Sequence, residues 1–241
     1  MRDKRPQGFL QRFSEGFRYE RSNALVENIH RYVRASGASS LLDIGAGGPS
    51  MAIPLSRMVK RYLAIEKDHE AARALGVEGL DSVAGTFPVQ LHESFDLVLS
   101  CHTVPEAGVE YYSEFLDCAW QSVTLGGVLL VVTFKGGRGD SARLREELTG
   151  NRNGTDPQFE AIRQNLIPRG ILRIEKINTY ITSPHISDII EYIDKLVFRA
   201  ESEKVTHLDR LSEILFMRYR LDDVYIFPLQ HLFLSVTRTR I

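Results

Sequence analysis

The ten residues from Leu41 to Ser50, LLDIGAGGPS, constrain the fold more than any other stretch of the chain. Leu41, Leu42 and Ile44 read as the end of a buried strand, with Asp43 at its carboxyl end. Gly45, Ala46, Gly47 and Gly48 then make a turn tight enough for a ligand to touch the backbone. The following residues, MAIPLSRMVKRYL, read as a helix. A strand, a glycine turn and a helix in this order is how an open α/β sheet builds a binding site at the carboxyl ends of its strands. The next apolar run, RYLAIE, ends in Glu66 about twenty residues later, where a carboxylate is placed to accept both hydroxyls of a ribose.

Asp43 sharpens the meaning of the turn. A carboxylate ahead of the glycines repels a pyrophosphate and suits a cationic sulfonium or ammonium group, and Ser50 stands where a dinucleotide fingerprint wants glycine or alanine. With Asp43 and Glu66 in place, the segment resembles the first motif of the class I S-adenosylmethionine-dependent methyltransferases. The third glycine of that motif is Pro49 here, which suits a first helical position because its missing N–H would be unpaired there. The resemblance implies a doubly wound, seven-stranded, mostly parallel sheet of the Rossmann-like methyltransferase fold, with a helical insertion before the last strand. It also implies S-adenosylmethionine as cofactor. In that family pattern Asp43, Gly45, Ala46 and Gly47 hold the methionine part, and Glu66, with Lys67 beside it, holds the ribose. The adenine falls to Thr86, a neutral acceptor where the family usually has an acid, and to Phe87, which either stacks on the ring or fills the core.

The rest of the chain agrees with this frame. Residues 1–21 carry Phe9, Phe13 and Phe17 on one helical stripe, which either packs on the domain or forms a lid over cofactor and substrate, as the resemblance implies. Ser22 caps a helix ending at Gly37, DHEAARALG returns the chain to a third strand near DSVAGTF, and FDLVLS reads as a strand buried on both faces. Asp96 at the start of FDLVLS, and Ser100, Cys101 and His102 at its end, resemble the family's fourth motif, which borders the reacting groups. The helix EYYSEFLDCAWQSVT is expected to end at Leu125-Gly126-Gly127, followed by a central strand, VLLVVTF. Residues 136–156 read as a mobile loop, PQFEAIRQNLIPRG as the last core helix and ILRIEKINTYITS as strand six. Two amphipathic helices fill 184–223, either an acceptor-selecting cap, as the resemblance implies, or a dimer contact or structural cap, and VYIFPLQHLFLSVTRT closes the sheet. One domain, 1–241, accommodates all of it.

Composition limits the partners. The 30 basic and 31 acidic residues nearly cancel, which removes any general pull toward nucleic acid or an anionic membrane. Two cysteines, Cys101 and Cys118, argue against a disulfide framework and favour a reducing, cytoplasmic setting, and no signal peptide or membrane span is read. His185, His207 and His231 share no ligand spacing, so no metal site is expected. Methyl transfer from a sulfonium is an in-line displacement with a neutral leaving group, so positioning supplies most of the acceleration. Where the acceptor must lose a proton, His102 is the candidate base. No Asn/Asp-Pro-Pro-Tyr/Phe motif follows strand four and no RNA-binding module precedes the core, so a small-molecule acceptor is expected. RNA, a protein, or a scaffold that binds without turnover are the alternatives, and a homodimer is compatible with the sequence.

Overall fold

Buried aliphatic strands alternate with helices along most of the chain, as the apolar runs dictate. The computed structural model describes residues 23–104, 109–134, 139–150, 157–197 and 208–239. The expected lid helix in 1–21 lies outside the described residues. In chain order the elements are α1 (Asn23–Ser36), β1 (Ser40–Ile44), α2 (Pro49–Ser56), β2 (Arg61–Glu66), α3 (His69–Val77), β3 (Ser82–Ala84), β4 (Phe95–Cys101) and α4 (Tyr112–Gln121). They continue with β5 (Val123–Phe134), α5 (Asp140–Thr149), α6 (Pro157–Leu166), β6 (Leu172–Ser183), α7 (Ile186–Val197), α8 (Leu208–Arg218), β7 (Arg220–Leu221) and β8 (Val224–Thr237).

The sheet runs β3-β2-β1-β4-β5-β8-β6, with the two-residue β7 pairing off this path against β8. Strands β3, β2, β1, β4 and β5 pair in parallel and β8 joins β5 antiparallel, the mostly parallel, doubly wound sheet expected from the sequence. The order turns back at β1 and β4, whose carboxyl ends therefore form the crevice where such sheets bind ligands. Seven strands lie on the main path, and β7 is a short addition.

The chain divides into two compact units. The larger comprises 24–134, 157–177 and 231–241, and contains β1 to β5 with α1 to α4 and α6. Its core joins Leu42, Ile44, Val98, Leu129 and Val131 of the central strands to Phe115 and Leu116 of α4 and Ile162 and Leu166 of α6. The smaller includes the described residues 139–150, 178–197 and 208–230, and its described helices are α5, α7 and α8. There Tyr219 Oη donates to Asp140 Oδ1 at 3.0 Å, and Arg218 grips Glu147 through two nitrogens at 2.6 and 3.0 Å. Ser183 Oγ, 2.6 Å from Asp188 and accepting the His185 N–H, ties strand six to the start of α7.

Two expectations are corrected. The stretch 136–156 read as a loop contains α5, whose Leu144 and Leu148 are spaced four apart and buried, inside an otherwise polar segment, DSARLREELT. Strand five begins at Val123 and not after the glycine pair. Phe95 pairs with Val123 and Leu97 with Val128, so Gly126 and Gly127 form a bulge within the ladder and do not stop it.

Asp96 locks the amino end of this arrangement. Its Oδ2 accepts from Ser39 N (2.9 Å), Ser39 Oγ (2.8 Å) and Ser40 N (3.0 Å), while Ser40 Oγ accepts the Asp96 N–H at 2.9 Å. Partial burial pushes its carboxyl up, but the Ser39 and Ser40 donors outweigh that and hold it below the usual range. Asp96→Ala is expected to cost about 2 kcal/mol in urea denaturation at pH 7, since it removes several bonds to one charged acceptor. A depressed carboxylate stabilises above its unfolded pKa, so the gap between wild type and variant narrows as pH falls below about 4.

Candidate functional site

The glycine turn is stitched to the strand ends around it. Gly45 and Ala46 both donate their N–H to Ile65 O, at 2.7 and 3.3 Å, which ties the turn to the end of β2. Gly47 donates to Glu66 Oε2 at 2.7 Å, and Glu66 Oε1 accepts from Asp68 N at 2.9 Å. Gly45 (φ +72°) and Gly47 (φ +64°) both take the left-handed backbone that a side chain resists, which is why glycine stands at both. Their surroundings differ. A Cβ on Gly45 would fall 2.2 Å from Thr103 Oγ1, whereas one on Gly47 would meet nothing within 4 Å among the described residues. Gly47 therefore borders open space.

Both acids lie at this turn. Asp43 is fully buried; Tyr62 Oη donates to its Oδ2 at 2.8 Å, and its Oδ1 has no hydrogen-bond partner among the described residues. Burial, with a smaller contribution from the Glu66 charge, outweighs the Tyr62 bond and pushes its carboxyl up to about 7. Glu66 is 6% exposed, and its two backbone bonds leave half of its lone-pair positions for a ligand. A buried carboxylate oxygen without a donor, an unfilled glycine corner and a second carboxylate beside it suit the ammonium, the backbone-cradled part and the ribose of an adenosyl amino acid.

The remaining expected residues are distributed around these. Ala46 is buried and Lys67 is exposed. Gly85 donates to Glu66 O at 2.9 Å, which brings the end of β3, followed by the exposed Thr86, next to the end of β2. Phe87 is 7% exposed and meets Phe115 edge-on with centroids 4.9 Å apart, a packing that fits the core-filling alternative. Ser100 is buried, with its Oγ unpartnered among the described residues, and Cys101 is a buried thiol.

His102 sits at the end of β4 with φ +60°, a strained backbone for a non-glycine residue. Its ring stacks on Phe134 with centroids 3.9 Å apart, and its Nε2 lies 3.1 Å from Nδ1 of His231. Its Nδ1 is buried as well. Both ring nitrogens thus turn into protein. Desolvation pushes His231 down to about 4, so that ring is neutral at pH 7.

Two residues of this neighbourhood escaped the sequence analysis, and a third, His231, was weighed there only as a metal ligand. Tyr62 lies in an apolar run, where it passes for a core aromatic. Thr103 Oγ1 donates to Ile44 O at 2.9 Å and closes the turn against β4. His231 reaches His102 only through the β5–β8 pairing, which sets it opposite Phe134. Asp68, by contrast, follows a local rule, accepting from Ala71 N at 2.8 Å as the N-cap of α3.

Sheet order, the glycine turn and the acids at the ends of β1 and β2 together define the fold of the class I S-adenosylmethionine-dependent methyltransferases, and the comparison with solved structures agrees. A putative methyltransferase from Bacillus halodurans C-125 matches with a TM-score of 0.54 at 17% identity, over 89% of this chain and 100% of that one. The N-methyltransferase NodS from Bradyrhizobium japonicum WM9 matches with a TM-score of 0.53 at 13% identity, over 91% of this chain and 97% of that one. NodS in complex with S-adenosyl-L-homocysteine matches with a TM-score of 0.51 at 14% identity, over 89% and 86% of the two chains. No family model and no curated protein matches the sequence. Among the described residues no group of three or more His, Cys, Asp or Glu is placed to hold a metal ion, and no helix is long and apolar enough to cross a membrane.

The two glycines yield opposite expectations. Gly45→Ala combines left-handed strain with overlap on Thr103 and should cost about 3 kcal/mol of stability. Gly47→Ala meets no neighbour and should cost only about 1 kcal/mol from its backbone. Parallel urea denaturation of the two variants checks this.

Proposed function

We propose that this chain transfers a methyl group from S-adenosylmethionine to a small-molecule acceptor. The observation that carries the proposal is the buried Asp43 oxygen, unpartnered among the described residues, at a glycine turn whose open corner, Gly47, is held by Glu66. When bound, the cofactor supplies a methyl group on a sulfonium, displaced in line with a neutral thioether as leaving group.

The chain's own residues then bind and orient. Asp43 Oδ1 receives the methionine ammonium, Gly47 lets the ligand approach the backbone, and the spare lone pairs of Glu66 take the ribose hydroxyls, with Lys67 and Thr86 at the rim. Ser100, Cys101 and His102 border the acceptor side. Because both ring nitrogens of His102 turn into protein, the geometry favours an acceptor whose lone pair is available without deprotonation, such as an amine. The description of NodS as an N-methyltransferase supports the same choice.

Glu66→Ala should weaken binding of S-adenosylhomocysteine by about 1 to 3 kcal/mol in calorimetry, through loss of a charged hydrogen-bond acceptor. Unchanged affinity would remove Glu66 from the site. Incubation with methyl-labelled S-adenosylmethionine and cell extract, fractionated by size, tests the acceptor class. Label is expected in the small-molecule fraction, and label confined to tRNA or protein would overturn that part.

A further inference from the structure

The two acids of the site share one face of the sheet with a third group. In the parallel β1–β2 ladder Asp43 pairs with Ala64, so Tyr62 and Glu66, two residues to either side of Ala64, point to the same face as Asp43. Tyr62 is 7% exposed and spends its hydroxyl on Asp43 Oδ2, leaving Oδ1 as the oxygen without a donor. The neighbours of Asp43 on the other side add no charge: it pairs with Leu99 of β4, next to Ser100, and α2, PSMAIPLS, has no ionisable side chain. Among the described residues, Tyr62 and Glu66 are thus the titratable groups that act on it.

We infer that Tyr62 is a positioning residue for the cofactor: its hydroxyl orients Asp43 and favours the charged carboxylate, so that binding of the amino-acid part of the ligand is coupled to release of a proton from Asp43. The inference rests on the cofactor site proposed above. Its chemistry is a proton exchange alone. The protonated carboxyl loses its proton to solvent, the carboxylate keeps the Tyr62 O–H on Oδ2, and the ligand's ammonium takes Oδ1.

The direction with pH follows from the state of the free protein. Burial raises the Asp43 carboxyl to about 7, so below that pH the site is largely neutral and an ammonium ligand must first expel a proton. Affinity should therefore fall as pH drops below 7, approaching tenfold per pH unit, and level off above about 8. Tyr62→Phe removes the donor that favours the carboxylate, which moves the plateau to higher pH. The loss is then roughly tenfold at pH 7 and shrinks toward pH 8.5.

Calorimetry with S-adenosylhomocysteine between pH 5.5 and 8.5, in pairs of buffers with different ionisation enthalpies, tests this on the whole chain. Wild type should release roughly half a proton per ligand at pH 7 and little above pH 8. Tyr62→Phe should show the pH-dependent loss, and Asp43→Asn should bind without pH dependence in this range. A pH-independent wild-type affinity with no proton release overturns the inference while leaving the cofactor site standing. So does a Tyr62→Phe loss that is equal at every pH, which is what a purely structural tyrosine would give, or a pH dependence that survives in Asp43→Asn. Should Tyr62→Phe fail to fold, the wild-type buffer series and Asp43→Asn still decide the matter. Absence of binding at every pH overturns the cofactor reading itself.

Discussion

The hydrogen bond from Gly47 N–H to Glu66 is the constraint on which the rest of the site depends. It joins the turn after β1 to the last residue of β2, and the Gly45 and Ala46 donors to Ile65 O repeat the link one residue earlier. Thr103 adds the other wall by donating to Ile44 O from beyond β4. Three strand ends are thereby held at one height around a loop with no side chain of its own at its open corner. A loop so held satisfies the N–H groups of Gly45, Ala46 and Gly47 and still leaves Gly47 accessible to a ligand.

That geometry comes with an electrostatic burden. Two carboxyl groups lie close together at the carboxyl ends of an apolar sheet, one of them fully buried and, among the described residues, with a donor on one oxygen only. A core assembled for stability alone would replace Asp43 by an apolar residue, since burying a half-satisfied carboxyl opposes folding. Its presence at the carboxyl ends of the strands accords with the cation proposed for its open oxygen. Tyr62 moderates the burden in the free protein by occupying one oxygen.

At the end of β4 the structure places a second polar cluster. His102, Phe134 and His231 stack and bond to one another, and the neutral His231 ring accompanies His102 without adding charge. A histidine turned inward in this way accords with the transfer proposed above, in which alignment supplies the rate.

Much of this was written in local pattern. The aliphatic runs of β1, β2, β4 and β5, the glycine turn, the positions of Asp43 and Glu66, the helix ending at Leu166 and the helices flanking residues 198–207 follow from spacing and turn chemistry, because each depends on neighbours within a few residues. What the chain's order could not settle depends on partners far away. Helix α5 is polar except for two leucines and becomes legible only once they are buried; the Gly126-Gly127 pair looks like a break until the β4 ladder shows it to be a bulge. Phe87 packs on Phe115 of a helix that its own neighbourhood does not announce, and His231 stands 129 residues from His102. The linear chain determined the strand, turn and acids; the paired sheet decided which oxygen of Asp43 Tyr62 occupies and which histidines meet, because register across strands sets face and distance where local periodicity sets only alternation.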